Sequence, residues 1–490
     1  MEGVSARPTP YGLALAGIVL VGAALRFSDL GDQSFWGDEA ITDRVLGQGG
    51  LWDLPGLVRE SEAAPPPYYM ILWAWARAIG SDEAGLRSLS AVLGTATIPI
   101  MYLAVRELSS RRAALVAAAL CACSPFLVWY SQEARVYALY VLLVATSFWL
   151  FARALHDSRR RVLVAWGLVS AAGVASFYLA AIPVAIEAAV LLWVARDRRL
   201  TVVAATLIVL ATAGAMLTYA LDHRIKQVWI QPISLEPRIT QTFELFLVGN
   251  SDPAAIAFIV AGAAAVGAGV ALALFGEAKE RRAFGIALLV GLLGLAAAVA
   301  GRLLDADYVI ARNVLFAWVP LAAAFAIALG SPRLRAAGPV AAGLVCAIGI
   351  WLVLEVKRDD RLQRVDFRQA SELLGDPLAD GYRTIVAPSS FQPTAMRSYL
   401  PGISEPSYFP PPSVEVAVLQ YDRPDRGHLC WWGGACSMPA TGPLMSAPPG
   451  YVFAGRSSAG RFTLTRFRSS RPRHPELDLR SDTYVALQGG

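Results

Sequence analysis

Charge is what this sequence has least of. Asp, Glu, Lys and Arg make up only 17% of its 490 residues, against 56% hydrophobic, whereas a soluble surface ordinarily calls for about 25% charged residues. The shortfall excludes a wholly water-exposed protein, and the apolar excess excludes disorder. The missing polar surface has to be lipid. Neither sign of charge dominates: 43 basic against 38 acidic residues leave +5, too small an excess to suggest a nucleic-acid partner. Five cysteines are too few for a disulfide scaffold or an iron–sulfur protein. The four histidines, His156, His223, His428 and His474, are dispersed. No HExxH, paired CxxC, Walker loop or GxSxG occurs, so zinc hydrolysis, P-loop nucleotide use and an α/β-hydrolase lack support. Any reaction has to draw on a substrate bond that arrives already activated.

Long apolar runs are what is present. A spanning helix needs about 20 mostly apolar residues. Such stretches lie at 10–27, 86–105, 112–130, 134–152, 162–178, 179–195, 200–221, 253–275, 284–301, 309–330 and 336–354, which predicts about eleven transmembrane helices. The first has neither the basic flank nor the small-residue cleavage site of a signal peptide. Arginine and lysine gather in every second short loop: Arg106, Arg111 and Arg112; Arg153 and Arg159 to Arg161; Arg196, Arg198 and Arg199; Lys279, Arg281 and Arg282; Arg333 and Arg335. The positive-inside rule assigns these loops, and the N-terminus, to the cytoplasm. The run from Pro65 to Trp75 is apolar but short and ends at Arg77. Counted as a span it would break the alternation, so it reads as an interfacial helix with Tyr68, Tyr69 and its tryptophans at headgroup depth.

Hydropathy falls after residue 355, which divides the chain into a membrane domain, 1–355, with an external loop at 28–85, and an extracytoplasmic α/β domain, 356–490. Thr384–Ala387, Val414–Val418, Tyr451–Phe453 and Arg461–Thr465 read as strands, and Asp366–Leu374 and Thr394–Leu400 read as helices. Cys430 and Cys436 bracket Trp431 to Ala435; in an exported domain they are expected to pair, the alternative being two unpaired thiols in a cytosolic one.

Several clusters carry chemistry. Within the acidic first loop, Phe35-Trp36-Gly37-Asp38-Glu39-Ala40 sets two adjacent carboxylates at the start of a short helix, Glu39 to Leu46. A carboxylate partly desolvated at a membrane surface is suited to general-base work; the plainer alternative is capping, with Asp38 as N-cap and Glu39 favoured by the dipole. The turn Ser131-Gln132-Glu133-Ala134-Arg135-Val136-Tyr137 falls on the same expected face. Its Arg135 guanidinium matches a phosphate, which Glu133 and Tyr137 would support; the alternative is a surface Glu133–Arg135 pair. Arg312, after Asp305, Asp307 and Tyr308, and Lys226, in the long loop 222–252, are further candidates for a lipid phosphate or for headgroup anchoring. Glu187 lies within an apolar run, and an intramembrane carboxylate is either functional or hydrogen-bonded to a neighbouring helix.

The order of these motifs resembles a known family. One span is followed by the aromatic-Gly-Asp-Glu-Ala motif, then Pro65-Pro66-Pro67-Tyr68-Tyr69, then Leu86-Arg87-Ser88-Leu89-Ser90, then Ser131-Gln132-Glu133-Ala134-Arg135-Val136-Tyr137-Ala138-Leu139. This resembles the bacterial branch of the polyprenyl-phosphate-sugar-dependent glycosyltransferases of GT-C fold, the protein mannosyltransferase and aminoarabinose transferase superfamily. The match is specific over 10–155 and weaker to about 330. The resemblance implies a polytopic α-helical enzyme that moves a mannose-like hexose or pentose from a polyprenyl phosphate to a hydroxyl of an extracytoplasmic protein, lipid or glycan. It implies Asp38 as catalytic base with Glu39 completing the motif, and Arg135, Arg312 and Lys226 on the donor phosphate. Relatives differ in metal dependence; no ligand cluster is evident, so no cofactor is certain and a divalent metal stays open. Many relatives carry His or Lys directly before the proline pair, where this chain has Ala63 and Ala64, and substrate identity does not carry over. The competing class is a transporter or flippase of lipid-linked sugars, against which stands the lack of any inverted repeat.

Overall fold

The computed structural model describes residues 9–62, 64–223, 230–249, 254–388, 393–400, 402–404, 411–421, 446–477 and 483–489. The chain forms two compact units. One comprises Met1–Leu30 and Gly49–Leu362; the other comprises Gly31–Gln48 and Gln363–Gly490.

The first unit is helical: α1 (Pro10–Phe27), then, past the excluded α2 (Gly37–Gln48), α3 (Leu54–Ser61), α4 (Pro67–Ile79), α5 (Glu83–Leu108), α6 (Arg111–Cys123), α7 (Pro125–Ser131), α8 (Tyr137–Ala154) and α9 (Arg160–Ser176). There follow α10 (Ala181–Val194), α11 (Arg199–His223), α12 (Leu235–Val248), α13 (Ala254–Phe275), α14 (Ala278–Ala300), α15 (Trp318–Leu329) and α16 (Ala337–Arg358). All eleven expected spans are helical. Among the described residues seven helices are long and apolar enough to cross a membrane, and α6 with α7 makes an eighth if the bent pair is one span. The remaining three are shorter: α9, with 17 residues, and the segments Tyr178–Val194 and Leu315–Leu329. Large apolar side chains stay uncovered on the outer helices, among them Leu200 and Leu210 of α11, Ile256 and Leu274 of α13 and Leu344 of α16. A monomer in water would not present such stripes; acyl chains cover them. The chain is a multi-pass membrane protein. At 13 residues, α4 is about 20 Å long, shorter than a hydrocarbon core of about 30 Å.

Contacts between loops test the alternation. Arg112 donates to the Arg335 carbonyl, Arg153 bridges Glu107 at 3.8 Å, and Ser331 Oγ donates to Glu280 at 3.1 Å. Four of the five basic loops therefore share one face. At the other ends of their helices, Lys357 in the last turn of α16 meets Asp29 just after α1 at 2.9 Å. Two helices that finish on the same side require an odd number of crossings from first to last, which eleven satisfies.

One expected span is not straight. The run 112–130 bends by 57° between α6 and α7. Pro125 has no amide to give the Cys121 carbonyl, and its ring crowds it. The fully buried Arg26 of α1 supplies the missing donors: Nη2 to Cys121 O at 2.8 Å, Nη1 to Ala122 O at 3.0 Å and Nε to Ser131 Oγ at 3.2 Å. Gly94 of α5 admits this knot, since a Cβ there would lie 2.1 Å from Ser131 Oγ.

The second unit is a small α/β domain. Its strands are β1 (Arg383–Pro388), β2 (Ser413–Tyr421), β3 (Val452–Ala459), β4 (Phe462–Arg473) and β5 (Thr483–Gln488), in the order β3-β4-β2-β1-β5. Only β1 and β2 are parallel; the other neighbours are antiparallel. The four expected strands and both expected helices, α17 (Phe367–Leu374) and α18 (Pro393–Arg397), are present, with β5 in addition. One face buries Val386, Val416, Val418, Tyr451 and Phe467. On β2, Glu415 is wholly buried between Arg383 at 2.6 Å and Arg468 at 2.8 Å. Arg466 and Arg383 also reach the carbonyls of Leu373 and Gly375, so the arginines cap the C-terminal end of α17, where the helix dipole is negative.

Candidate active site

The acidic motif belongs to the second unit. Its helix, α2, starts at Gly37, so Asp38 sits inside the first turn and not at the cap position. The Asp38 carbonyl accepts from Thr42 Oγ1 at 3.1 Å. Glu39 is fully buried and its Oε2 accepts from the Trp36 amide at 3.4 Å, which makes Glu39 the residue that closes the helix start. Asp38 is half-buried. One carboxylate is therefore fully buried within the motif, and its neighbour is half-buried.

The second cluster belongs to the first unit. Between α7 and α8 the chain turns tightly, the Arg135 amide donating to the Glu133 carbonyl at 2.7 Å. Both side chains are buried, Glu133 completely and Arg135 to 95%, so they do not form a surface pair. Arg135 Nη1 bridges Glu62, itself buried, at 2.5 Å. The Arg135 guanidinium also lies 5.9 Å from the Tyr69 ring, and Tyr69 meets Tyr68 edge-on at 5.5 Å. Tyr68 is tied through Ser90 Oγ (3.2 Å) to the Arg135 carbonyl (3.5 Å). Burial pushes the Tyr69 phenol well above its ordinary value; the Arg135 charge opposes this and the Glu62 charge adds to it. A guanidinium held among tyrosines in a dry setting is a strong anion partner.

From there an aromatic series continues. Tyr137 lies 6.1 Å from Phe177, Phe177 stacks on Tyr178 at 5.5 Å, and Tyr178 meets Tyr308 at 6.0 Å. Tyr308 begins the turn that carries Arg312, which is half-buried. That turn is fixed by Arg238 of α12, which donates to both carboxylate oxygens of Asp307 at 2.8 Å and to the Val309 carbonyl at 3.0 Å. Burial would raise the Asp307 carboxyl, but the hydrogen bonds and charge of Arg238 outweigh it and hold it below its ordinary range. The structure thus joins Tyr68, Tyr69, Glu133, Arg135 and Tyr137, and links them by aromatic rings to the Arg312 turn.

Glu187 stands apart from this group. It accepts from Ser147 Oγ at 2.7 Å and Trp166 Nε1 at 2.8 Å, knotting α8, α9 and α10. Ser147 is ten residues along α8 from Tyr137, roughly 15 Å. Lys226, Ala63, Cys430 and Cys436 lie outside the described residues. Among the described residues no three His, Cys, Asp or Glu side chains converge as a metal site. Sequence reasoning missed Glu62 and Arg238. Each is a charge in or beside an apolar segment, and that was the available signal.

Residues 63–221 match the family model described as dolichyl-phosphate-mannose-protein mannosyltransferase. This bears out the resemblance read from the proline-tyrosine, Leu-Arg-Ser and Ser-Gln-Glu-Ala-Arg motifs; the Asp38 motif lies upstream of the matched segment. No curated protein matches the chain. Among solved structures it is similar to ArnT from Cupriavidus metallidurans bound to undecaprenyl phosphate, with 14% identity, TM-score 0.49, and coverage of 79% of this chain and 84% of that one. It is also similar to the oligosaccharyltransferase AglB from Archaeoglobus fulgidus in complex with an inhibitory peptide and a dolichol-phosphate, with 13% identity and TM-score 0.42. There the match covers 74% of this chain and 57% of AglB, a little over half its length.

Proposed function

We propose that the protein is an integral membrane glycosyltransferase of the cell envelope that uses a polyprenyl-phosphate sugar, a mannose-like hexose or pentose, as donor. The acceptor is a hydroxyl of a protein, lipid or glycan outside the plasma membrane; the N-terminus and the basic loops are cytoplasmic. The observation that supports this reading is the buried guanidinium of Arg135, paired with Glu62 and facing the Tyr69 ring, within the very segment that matches the mannosyltransferase family model.

The acceptor oxygen attacks the anomeric carbon, the bond from that carbon to the phosphate oxygen breaks, and the polyprenyl phosphate leaves. Asp38 takes the acceptor proton, with Glu39 holding the first turn of α2. Arg135 and Arg312, with Lys226, neutralise the charge that grows on the leaving oxygen, and preorganised donors are most effective in such water-poor surroundings. Tyr68, Tyr69, Glu133 and Tyr137 keep Arg135 in place.

The test is transfer from a panel of polyprenyl-phosphate sugars to candidate acceptors by the purified protein, with product detected by mass. Asp38→Asn is expected to lower turnover by about 10²–10⁴-fold with donor binding retained. Near-full transfer by Asp38→Asn overturns the base assignment. Movement of intact donor across a vesicle membrane without any transfer overturns the enzyme and favours a flippase.

A further inference from the structure

Between α1 and α2 the chain runs Gly31-Asp32-Gln33-Ser34-Phe35-Trp36 without helix or strand, so its peptide groups need partners from elsewhere. The Gly31 carbonyl and the Phe35 amide find them in residues 363–399 of the same unit, where the Gln33 and Ser34 side chains bond as well. The Arg364 amide donates to Gln33 Oε1 at 3.3 Å, the Phe367 amide to Ser34 Oγ at 2.8 Å and Arg368 Nη2 to the Gly31 carbonyl at 3.2 Å. Ser34 Oγ in turn donates to the Val365 carbonyl at 3.3 Å. The shortest bond of the set runs from the Phe35 amide to the Tyr399 hydroxyl, at 2.6 Å. Arg364 lies 5.6 Å from the Trp36 ring, Arg368 lies 5.9 Å from the Tyr399 ring, and α18 packs on α2.

We propose that Tyr399, far along the chain in the C-terminal sheet unit, is a positioning residue for Asp38; this rests on the reading of Asp38 as the base. Two amides precede α2. That of Trp36 is taken by Glu39 within the motif, and that of Phe35 by Tyr399. With both fixed, the first turn of α2 can neither rotate nor slide, and Asp38, three residues after Phe35, is held with it. Ser34 and Phe35 are buried, so the segment has no water to turn to when the hydroxyl is removed.

Tyr399→Phe keeps the ring that faces Arg368 and removes the acceptor. In the full-length protein it is expected to reduce kcat by about tenfold or more, the scale of a displaced catalytic group. Donor KM should hold within about twofold, because only a step made in the transition state is touched. Hydrogen exchange at the Phe35 amide should quicken, and the melting temperature should stay close to that of the parent. Faster exchange at Phe35 with parental kcat overturns the proposal, as does unchanged exchange at that amide. Asp38→Asn is measured alongside. If it stays active, the base reading fails; if it is inactive while Tyr399→Phe is fully active, only the positioning role fails.

Discussion

Arg135 and Glu62 are 73 positions apart and share a buried ion pair at 2.5 Å. Nothing local joins them: one sits in the turn between α7 and α8, the other at the end of α3, and the fold of the first unit brings them together. A buried pair loses about 3–5 kcal/mol when one partner is removed, because the other charge is left uncompensated. Glu62→Gln and Arg135→Gln should therefore each lower the thermal midpoint of the detergent-solubilised protein substantially, while the double substitution should recover most of the loss. Equal and additive losses would show that the pair is not coupled.

Arg312 belongs to a turn held by Arg238, and its role is separable from stability. Arg312→Gln should weaken binding of a polyprenyl phosphate by about 1.5–3 kcal/mol, the range for a charged hydrogen bond, and leave binding of the corresponding prenyl alcohol unchanged. Calorimetric titration with both ligands reads the difference. A matched loss for the alcohol would mean that Arg312 meets the chain or the headgroup region and not the phosphate.

The Arg238–Asp307 pair carries a pH dependence with a definite sign. The Asp307 carboxyl is held below its ordinary value of about 3.8. A lowered carboxylate stabilises the fold fully above the unfolded-state value and loses that contribution as pH falls through the folded-state value. The difference in melting temperature between the parent and Asp307→Asn should be largest at pH 5 and above and shrink below about 3.8. A difference that grows on acidification would reverse the assignment.

Glu187 offers a test of structure against chemistry. Glu187→Gln keeps an oxygen for Ser147 and Trp166 and should transfer sugar at close to the parental rate. Glu187→Leu strands both donors, at about 1–3 kcal/mol for each unsatisfied group, and should unfold at lower temperature. Loss of transfer in a stable Glu187→Gln protein would place this carboxylate in the reaction.

Much of this architecture was legible in the residues. Spans declare themselves because bilayer thickness sets a length that few soluble segments imitate, and β1, β2, β3 and β4 follow from short runs of β-branched and aromatic residues. The short helix at 67–79 was legible from the charge pattern of loops around it. The bend at Pro125 was missed although its proline stood in plain view, because window averages of hydropathy ignore a lost amide. Glu62 and Arg238 were missed for another reason: their partners are 73 and 69 positions away, and no periodicity encodes such a pairing. The same holds for the grouping of Gly31–Gln48 with the C-terminal sheet, which rests on single hydrogen bonds from residues more than 330 positions later. Local pattern reports elements; which carboxylate meets which guanidinium is decided only after they pack.

The bent α6–α7 segment leaves two peptide oxygens that lipid cannot satisfy, and the side chain that satisfies them comes from α1. Because α1 precedes α6 and α7 in the chain, its guanidinium is synthesised before that segment. Translation order thus delivers the kink's partner ahead of the kink. A chain shortened from its amino end, or one in which Arg26 becomes leucine, would insert an unsupported elbow and expose it to membrane quality control.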